Sequence, residues 1–114
     1  MILLLFNIIV KYLLKYIAPR YDLEYNYYMF RIWGKVLIGE KIVKQITYER
    51  DDKFVYSQFF KYLSDICEGL DIATPILMKT HIFNYAKFGT VKFLPRDFAE
   101  PPEFDKLVIE NIRV

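Results

Sequence analysis

A chain of 114 residues is the length of one ordinary domain. Hydrophobic residues at 54%, charged residues at 26% and a net charge of +2 exclude intrinsic disorder and any polyanion-binding or acidic tail. One cysteine excludes an internal disulfide framework and any multi-cysteine metal site, and nothing in the composition singles out an activity.

Residues 1–28 differ from the rest and form an N-terminal extension. Met1 to Val10 is apolar except for Asn7, and Lys11 and Lys15 then follow at intervals of four. On a helix those three residues make one polar stripe, with Leu3, Leu4, Phe6, Ile8, Ile9, Leu13, Leu14 and Ile17 on the remaining faces. Pro19 stops such a helix. The run is short for a bilayer span and holds two lysines. It also lacks the leading positive charge and the small-residue cleavage site of a signal peptide. Two readings remain. One is an amphipathic helix over residues 1–17, lying on a membrane surface or on the protein's own domain. The other is that native translation starts at Met29, and that the Tyr/Asn-rich stretch before it is a translated leader. Abundant Phe, Ile, Lys and Tyr, all with AT-rich codons, suit the second reading and a low-GC genome.

From Met29 onward the pattern is that of a compact domain, residues 29–114. Phe30 to Ile38 alternates, with Phe30, Ile32, Val36 and Ile38 on one side and Arg31, Trp33, Lys35 and Leu37 on the other, so it predicts a strand. A three-residue turn, Gly39-Glu40-Lys41, leads to a second strand over Ile42 to Glu49. That register puts Ile42, Ile46 and Tyr48 on the inner face and leaves Lys44 as a misfit there. After the polar break at Arg50 to Lys53, Val55, Phe59, Tyr62, Leu63, Ile66, Cys67 and Leu70 recur at helical spacing. Asp51 or Asp52 can cap this helix, and Gly69 suits its left-handed end. Ile76 to Met78 reads as a buried extended piece. Thr80 can cap a short helix from His81 to Phe88, ended by Gly89. Thr90 to Leu94 and Lys106 to Ile112 read as the last two strands. Between them Pro101 and Pro102 forbid a regular ladder. The order β-β-α-α-β-β predicts an α+β fold: a mostly antiparallel sheet with helices packed on one face.

Chemistry-bearing residues are few. His81 is the only histidine and has no partner at metal-ligand spacing, so it reads as a packing or surface residue. Cys67 falls on the apolar stripe near a helix C-terminus, where a thiol behaves as a small hydrophobe. Asp97, Glu100, Glu103 and Asp105 cluster between the last two strands, but without calcium-loop spacing. They read as a solvated, proline-stiffened loop pinned by Phe98 and Phe104. The four glycines make no phosphate cradle and read as turn and helix-end residues. Lysines interleave with aromatics, as in Arg31-Ile32-Trp33-Gly34-Lys35, a pattern compatible with single-stranded nucleic acid. From Met29 onward, however, 13 basic residues face 12 acidic ones, and no nucleic-acid partner is expected.

Three segments carry a family resemblance. Asp65-Ile66-Cys67-Glu68-Gly69-Leu70-Asp71-Ile72-Ala73-Thr74-Pro75-Ile76, Lys92-Phe93-Leu94-Pro95-Arg96-Asp97-Phe98 and Phe104-Asp105-Lys106-Leu107-Val108-Ile109-Glu110 together resemble a family of small uncharacterised proteins of anaerobic, low-GC Gram-positive bacteria. The resemblance covers most of the chain after Met29. It implies a compact domain and an origin, and no activity, cofactor or catalytic residue.

The expectation drawn from all this is a cytoplasmic, non-enzymatic domain with no catalytic residue, cofactor or metal. It acts through a protein partner or by self-association, and the candidate contact residues are Trp33, Leu37, Phe98 and Phe104. The alternative is a peripheral membrane protein held by residues 1–17.

Overall fold

The computed structural model describes residues 29–112. The amphipathic-helix and start-site expectations for residues 1–28 lie outside them. Six elements follow the expected order: β1 (Phe30–Ile38), β2 (Lys41–Arg50), α1 (Phe59–Leu70), α2 (Lys79–Phe88), β3 (Thr90–Phe93) and β4 (Lys106–Ile112). Short 3-10 turns at Tyr56–Gln58 and Pro95–Asp97 precede α1 and follow β3. The strands form one antiparallel sheet in the order β2-β1-β4-β3. The fold is α+β, with both helices on one face.

Alternation builds that face. Phe30, Ile32 and Val36 of β1, Leu107 and Ile109 of β4, and Val91 and Phe93 of β3 are all buried. They meet Phe59, Tyr62, Leu63, Ile66, Cys67 and Leu70 of α1, the 3.6-residue stripe of an amphipathic helix. An aromatic cluster seals one end: Phe54 lies 5.1 Å from Phe30, 5.2 Å from Tyr62 and 5.9 Å from Tyr85. The first is edge-on, the second tilted and the third stacked, and such pairs add stabilisation beyond the area they bury.

The β1–β2 turn differs from expectation. Ile38 pairs with Lys41 across the two residues Gly39 and Glu40, with Gly39 left-handed. The ladder then slips between Val36 and Leu37, so that Leu37 faces Ile42 and Val36 faces Lys44. The bulge restores, from Val36 back to Phe30, the register a three-residue turn would have given. Ile46 and Tyr48 therefore do face inward, but Ile42 lies beyond the slip, opposite Leu37 on the outer face. Ile38 at the strand end is exposed.

Lys44, the misfit of the sequence reading, has a partner. Its ammonium donates to the Leu70 carbonyl at the end of α1, at 3.1 Å. A cation there satisfies an orphan carbonyl and opposes the negative end of the helix dipole.

Helix ends also correct the sequence reading. Gln58 precedes α1 without a side-chain cap, and Asp52 instead forms a two-pronged pair with Arg50 at 2.8 Å. Val55 precedes the helix and is exposed. The left-handed residue that ends α1 is Asp71, at φ 57°, and the Ile72 N–H returns to the Cys67 carbonyl. Gly69 stays inside the last turn for a different reason: a Cβ there would overlap Cδ1 of Ile46. Gly34 plays the matching part on β1, where a Cβ would stand 2.7 Å from Ile66 Cγ2. These two glycines let α1 settle close onto β1 and β2 around Ile46. Ile76 and Met78 are largely exposed, so the piece before α2 is extended but not buried. Gly89 ends α2 in the left-handed conformation, as expected.

Candidate functional site

The sheet divides the polar chemistry of the molecule between two faces. On the inner side, β2 and α1 are joined by a polar clasp. The Tyr48 hydroxyl donates to Asp65 Oδ2 at 2.6 Å, Arg50 donates to the Tyr48 oxygen at 3.3 Å, and Lys61 sits 3.5 Å from Asp65. Tyr48 holds the Asp65 carboxyl below its ordinary range. Burial, with Asp65 beside it, raises the Tyr48 phenol. A raised phenol and a lowered carboxyl are each locked in one protonation state at neutral pH, so the clasp is a poor acid–base pair and a good tether.

His81 is buried against Phe93, with ring centres 4.5 Å apart. Its Nδ1 accepts the Met78 N–H at 2.9 Å, which places the proton of the neutral ring on Nε2. Nε2 faces Asp97 Oδ2 at 3.6 Å. The same Asp97 oxygen accepts the Leu94 N–H at 2.8 Å, and the Asp97 carbonyl accepts the Ile76 N–H at 2.7 Å. His81 and Asp97 thus fasten the start of α2 to the turn after β3. The Nδ1 lone pair is taken by the Met78 N–H and the ring is buried, which leaves it poorly placed to accept a substrate proton. Cys67 is fully buried, and burial pushes its thiol up to about 11, against a weaker opposing hydrogen bond with Thr74. A thiol so held stays protonated and is a poor nucleophile.

The acidic residues after β3 disperse into separate duties. Asp97 serves the turn just described. Asp105 binds the Gly39 N–H through its side chain and the Leu37 carbonyl through its own N–H, at 2.9 Å, tying the loop to the β1–β2 turn. Glu100 and Glu103 are exposed. Phe98 and Phe104 come together edge-on at 5.4 Å, and Phe104 packs on the core. Phe98 is only 5% exposed, so its ring is spent on anchoring the loop and offers no contact surface. Phe104 keeps part of its ring at the surface.

Trp33 and Leu37 lie together on the outer face of the sheet, half-buried, with Lys35 between them. Their neighbours across the ladders are Ile42, Gln45 and Thr47 of β2 and Lys106, Val108 and Glu110 of β4. Both helices lie on the opposite side, and no described element covers this face. Two of its cations are matched in place: Arg31 Nε lies 3.1 Å from Glu49, and Lys35 Nζ lies 3.3 Å from Glu110, while among the described residues Lys106 beside Leu37 and Lys92 beside Val108 have no carboxylate against them. Lys35 also stands 4.1 Å above the Trp33 ring centre, and the indole N–H donates to Gln45 at 3.0 Å. One side of the indole is therefore occupied by an ammonium already paired with a carboxylate. That leaves it poorly placed to stack a base and neutralise a phosphate. The face is an apolar centre with the two cations nearest Trp33 paired in place.

The sequence reading missed the His81–Asp97 pair, the Tyr48–Asp65 clasp and the exposed rings of α2. The first two join residues 16 and 17 positions apart, and no local spacing announces them. The third was legible, since Phe83 and Phe88 sit among lysines and off any three-four apolar stripe.

No family model, no curated protein and no solved structure matches this chain. Among the described residues no helix is long and apolar enough to cross a membrane, and no group of three or more candidate ligands could hold a metal ion.

Proposed function

We propose that this protein is a non-enzymatic interaction domain that pairs with a second copy of itself through the outer face of its sheet. The observation that carries this reading is the apolar pair Trp33 and Leu37 on a sheet face that no described element covers. A two-fold interface sets a patch against its own image, so a cation paired within the patch repels its image less. Here Arg31 and Lys35, the cations flanking Trp33, are paired with Glu49 and Glu110, and Lys92 and Lys106 stand toward the β3–β4 side. Such a centre with a polar surround is the anatomy of a protein contact. It favours another protein surface over a polyanion. Cys67, buried and protonated, supports a cytoplasmic setting in which no disulfide is required.

Sedimentation equilibrium of the full chain over a wide concentration range tests the reading. A monomer–dimer equilibrium is expected. Leu37→Asp and Trp33→Ala should each weaken it by roughly tenfold or more, since central aromatic and apolar anchors carry most of a contact's energy. Added salt should strengthen it modestly, by screening Lys92 and Lys106 from their images. A protein that stays monomeric at every concentration overturns the proposal.

A further inference from the structure

The helix layer presents a second surface of opposite character. The solvent-facing half of α2 carries Lys79, Thr80, Phe83, Asn84, Lys87 and Phe88, while His81 and Tyr85 take the buried side. Phe83 is 73% exposed and Phe88 63% exposed. Isolated apolar side chains at a surface are ordinary, but two phenyl rings on one ten-residue helix are not isolated. Ile76 and Met78, on the extended chain leading into α2, are also more than half exposed.

Charge sets this surface apart from the sheet face. Between Asp71 and Asp97 the chain has no carboxylate. Lys79 and Lys87 of α2 and Arg96 of the turn after β3 are exposed, while Lys92 alternates with buried Val91 and Phe93 and so lies on the outer face of the sheet. Lys87 lies 5.3 Å from the Phe88 ring centre, so ring and ammonium are presented side by side. A rim of cations with phenyl rings projecting among them complements one kind of surface: negative on the outside and apolar a few ångströms beneath. That is a bilayer of anionic phospholipid. A nucleic acid would satisfy the lysines and leave the rings wet. A purely apolar partner would strand the lysines.

We infer that the exposed side of α2, with Phe83 and Phe88 entering the acyl boundary and Lys79 and Lys87 at headgroup level, docks this protein on an anionic membrane surface. The inference goes beyond the self-association proposed above and uses the other side of the molecule. A domain so docked keeps the Trp33 face turned away from the lipid and open to its partner.

The test is vesicle co-sedimentation of the full chain, using phosphatidylcholine vesicles with and without phosphatidylglycerol. Wild type should pellet with the anionic vesicles and be released by salt. The double variant F83S/F88S should partition roughly tenfold less, and K79Q/K87Q should lose the preference for anionic lipid. Both variants keep residues 1–28, so any affinity of that segment is common to all three proteins. Circular dichroism and thermal melts, unchanged in the variants, establish that the fold is intact. A second readout uses the single tryptophan: in a W33F background, F83W should shift its emission to the blue on adding anionic vesicles. Equal pelleting of wild type and F83S/F88S overturns the inference. So does failure of wild type to pellet, or an F83W emission that ignores the vesicles, including where α2 instead captures an acidic protein.

Discussion

The two helices are built from similar proportions of apolar residues and use them in opposite ways. Six of the twelve residues in α1 are buried, and its outward side is mostly polar, with Lys61, Asp65 and Glu68. α2 buries only His81 and Tyr85, and shows water two phenylalanines and two lysines. α1 lies over the β1–β2 half of the sheet, where Gly34 and Gly69 clear the way for close packing. α2 lies along the β3 edge, where the strand is only four residues long and offers little inner surface. The contrast teaches that apolar content does not by itself tell core from contact surface. What decides is how much sheet lies under the helix.

Substitutions can break or sharpen that contrast. The largest effect is expected in the core stripe of α1. Ile66→Ala should cost about 2–5 kcal/mol in a urea melt, because the side chain is fully buried between helix and sheet. A smaller loss would mean that α1 packs more loosely than its glycines imply. Next is Gly69→Ala, where the helix-propensity gain of about 1 kcal/mol is offset by displacing the terminal methyl of Ile46, so the net change should be a loss of no more than about 1 kcal/mol. A stabilised Gly69→Ala protein would show that close approach is not what the glycine serves.

Tyr48→Phe removes the hydrogen bond that ties β2 to α1 and should cost about 1 kcal/mol near neutral pH. Its pH dependence follows from Asp65. The carboxyl is held below its unfolded value, so the stabilisation is complete above the unfolded pKa of about 4 and is lost as pH falls through the lower folded value. The difference between wild type and Tyr48→Phe should therefore close on acidification below that range. A gap that stays constant into strong acid would assign the loss to packing instead. The smallest effect is expected on the exposed side of α2, where Phe83→Ser should change folding stability by less than about 0.5 kcal/mol. A loss as large as that at Ile66 would place Phe83 in the core and remove the docking surface.

Much of the architecture was legible because periodicity is a local property. Alternation marked the strands Phe30–Ile38 and Lys106–Ile112 to within a residue, and the three-four spacing marked the end of α1 at Leu70 but began it several residues early, at Val55. The turn was harder, because a two-residue turn plus a bulge and a three-residue turn produce the same inner face at Ile46 and Tyr48. Only Ile42 and Ile38 distinguish them. Of the four contact candidates, Trp33 and Leu37 were placed by alternation on the outer face that they occupy. Phe98 and Phe104 carried two expectations at once, anchor and contact. The edge-on pair and the burial of Phe98 favour the anchor.

The sequence alone settled which segments are helix or strand and which side of each is apolar, since side-chain spacing along one segment dictates both. It left open where each segment goes. That β4 inserts between β1 and β3, that Lys44 finds the end of α1, that His81 meets Asp97, and that the rings of α2 overhang a short edge strand are all matters of packing between distant segments. Those outcomes depend on which surfaces bury best against one another in three dimensions, and residues that become neighbours only after folding leave no mark in the spacing of their own segments.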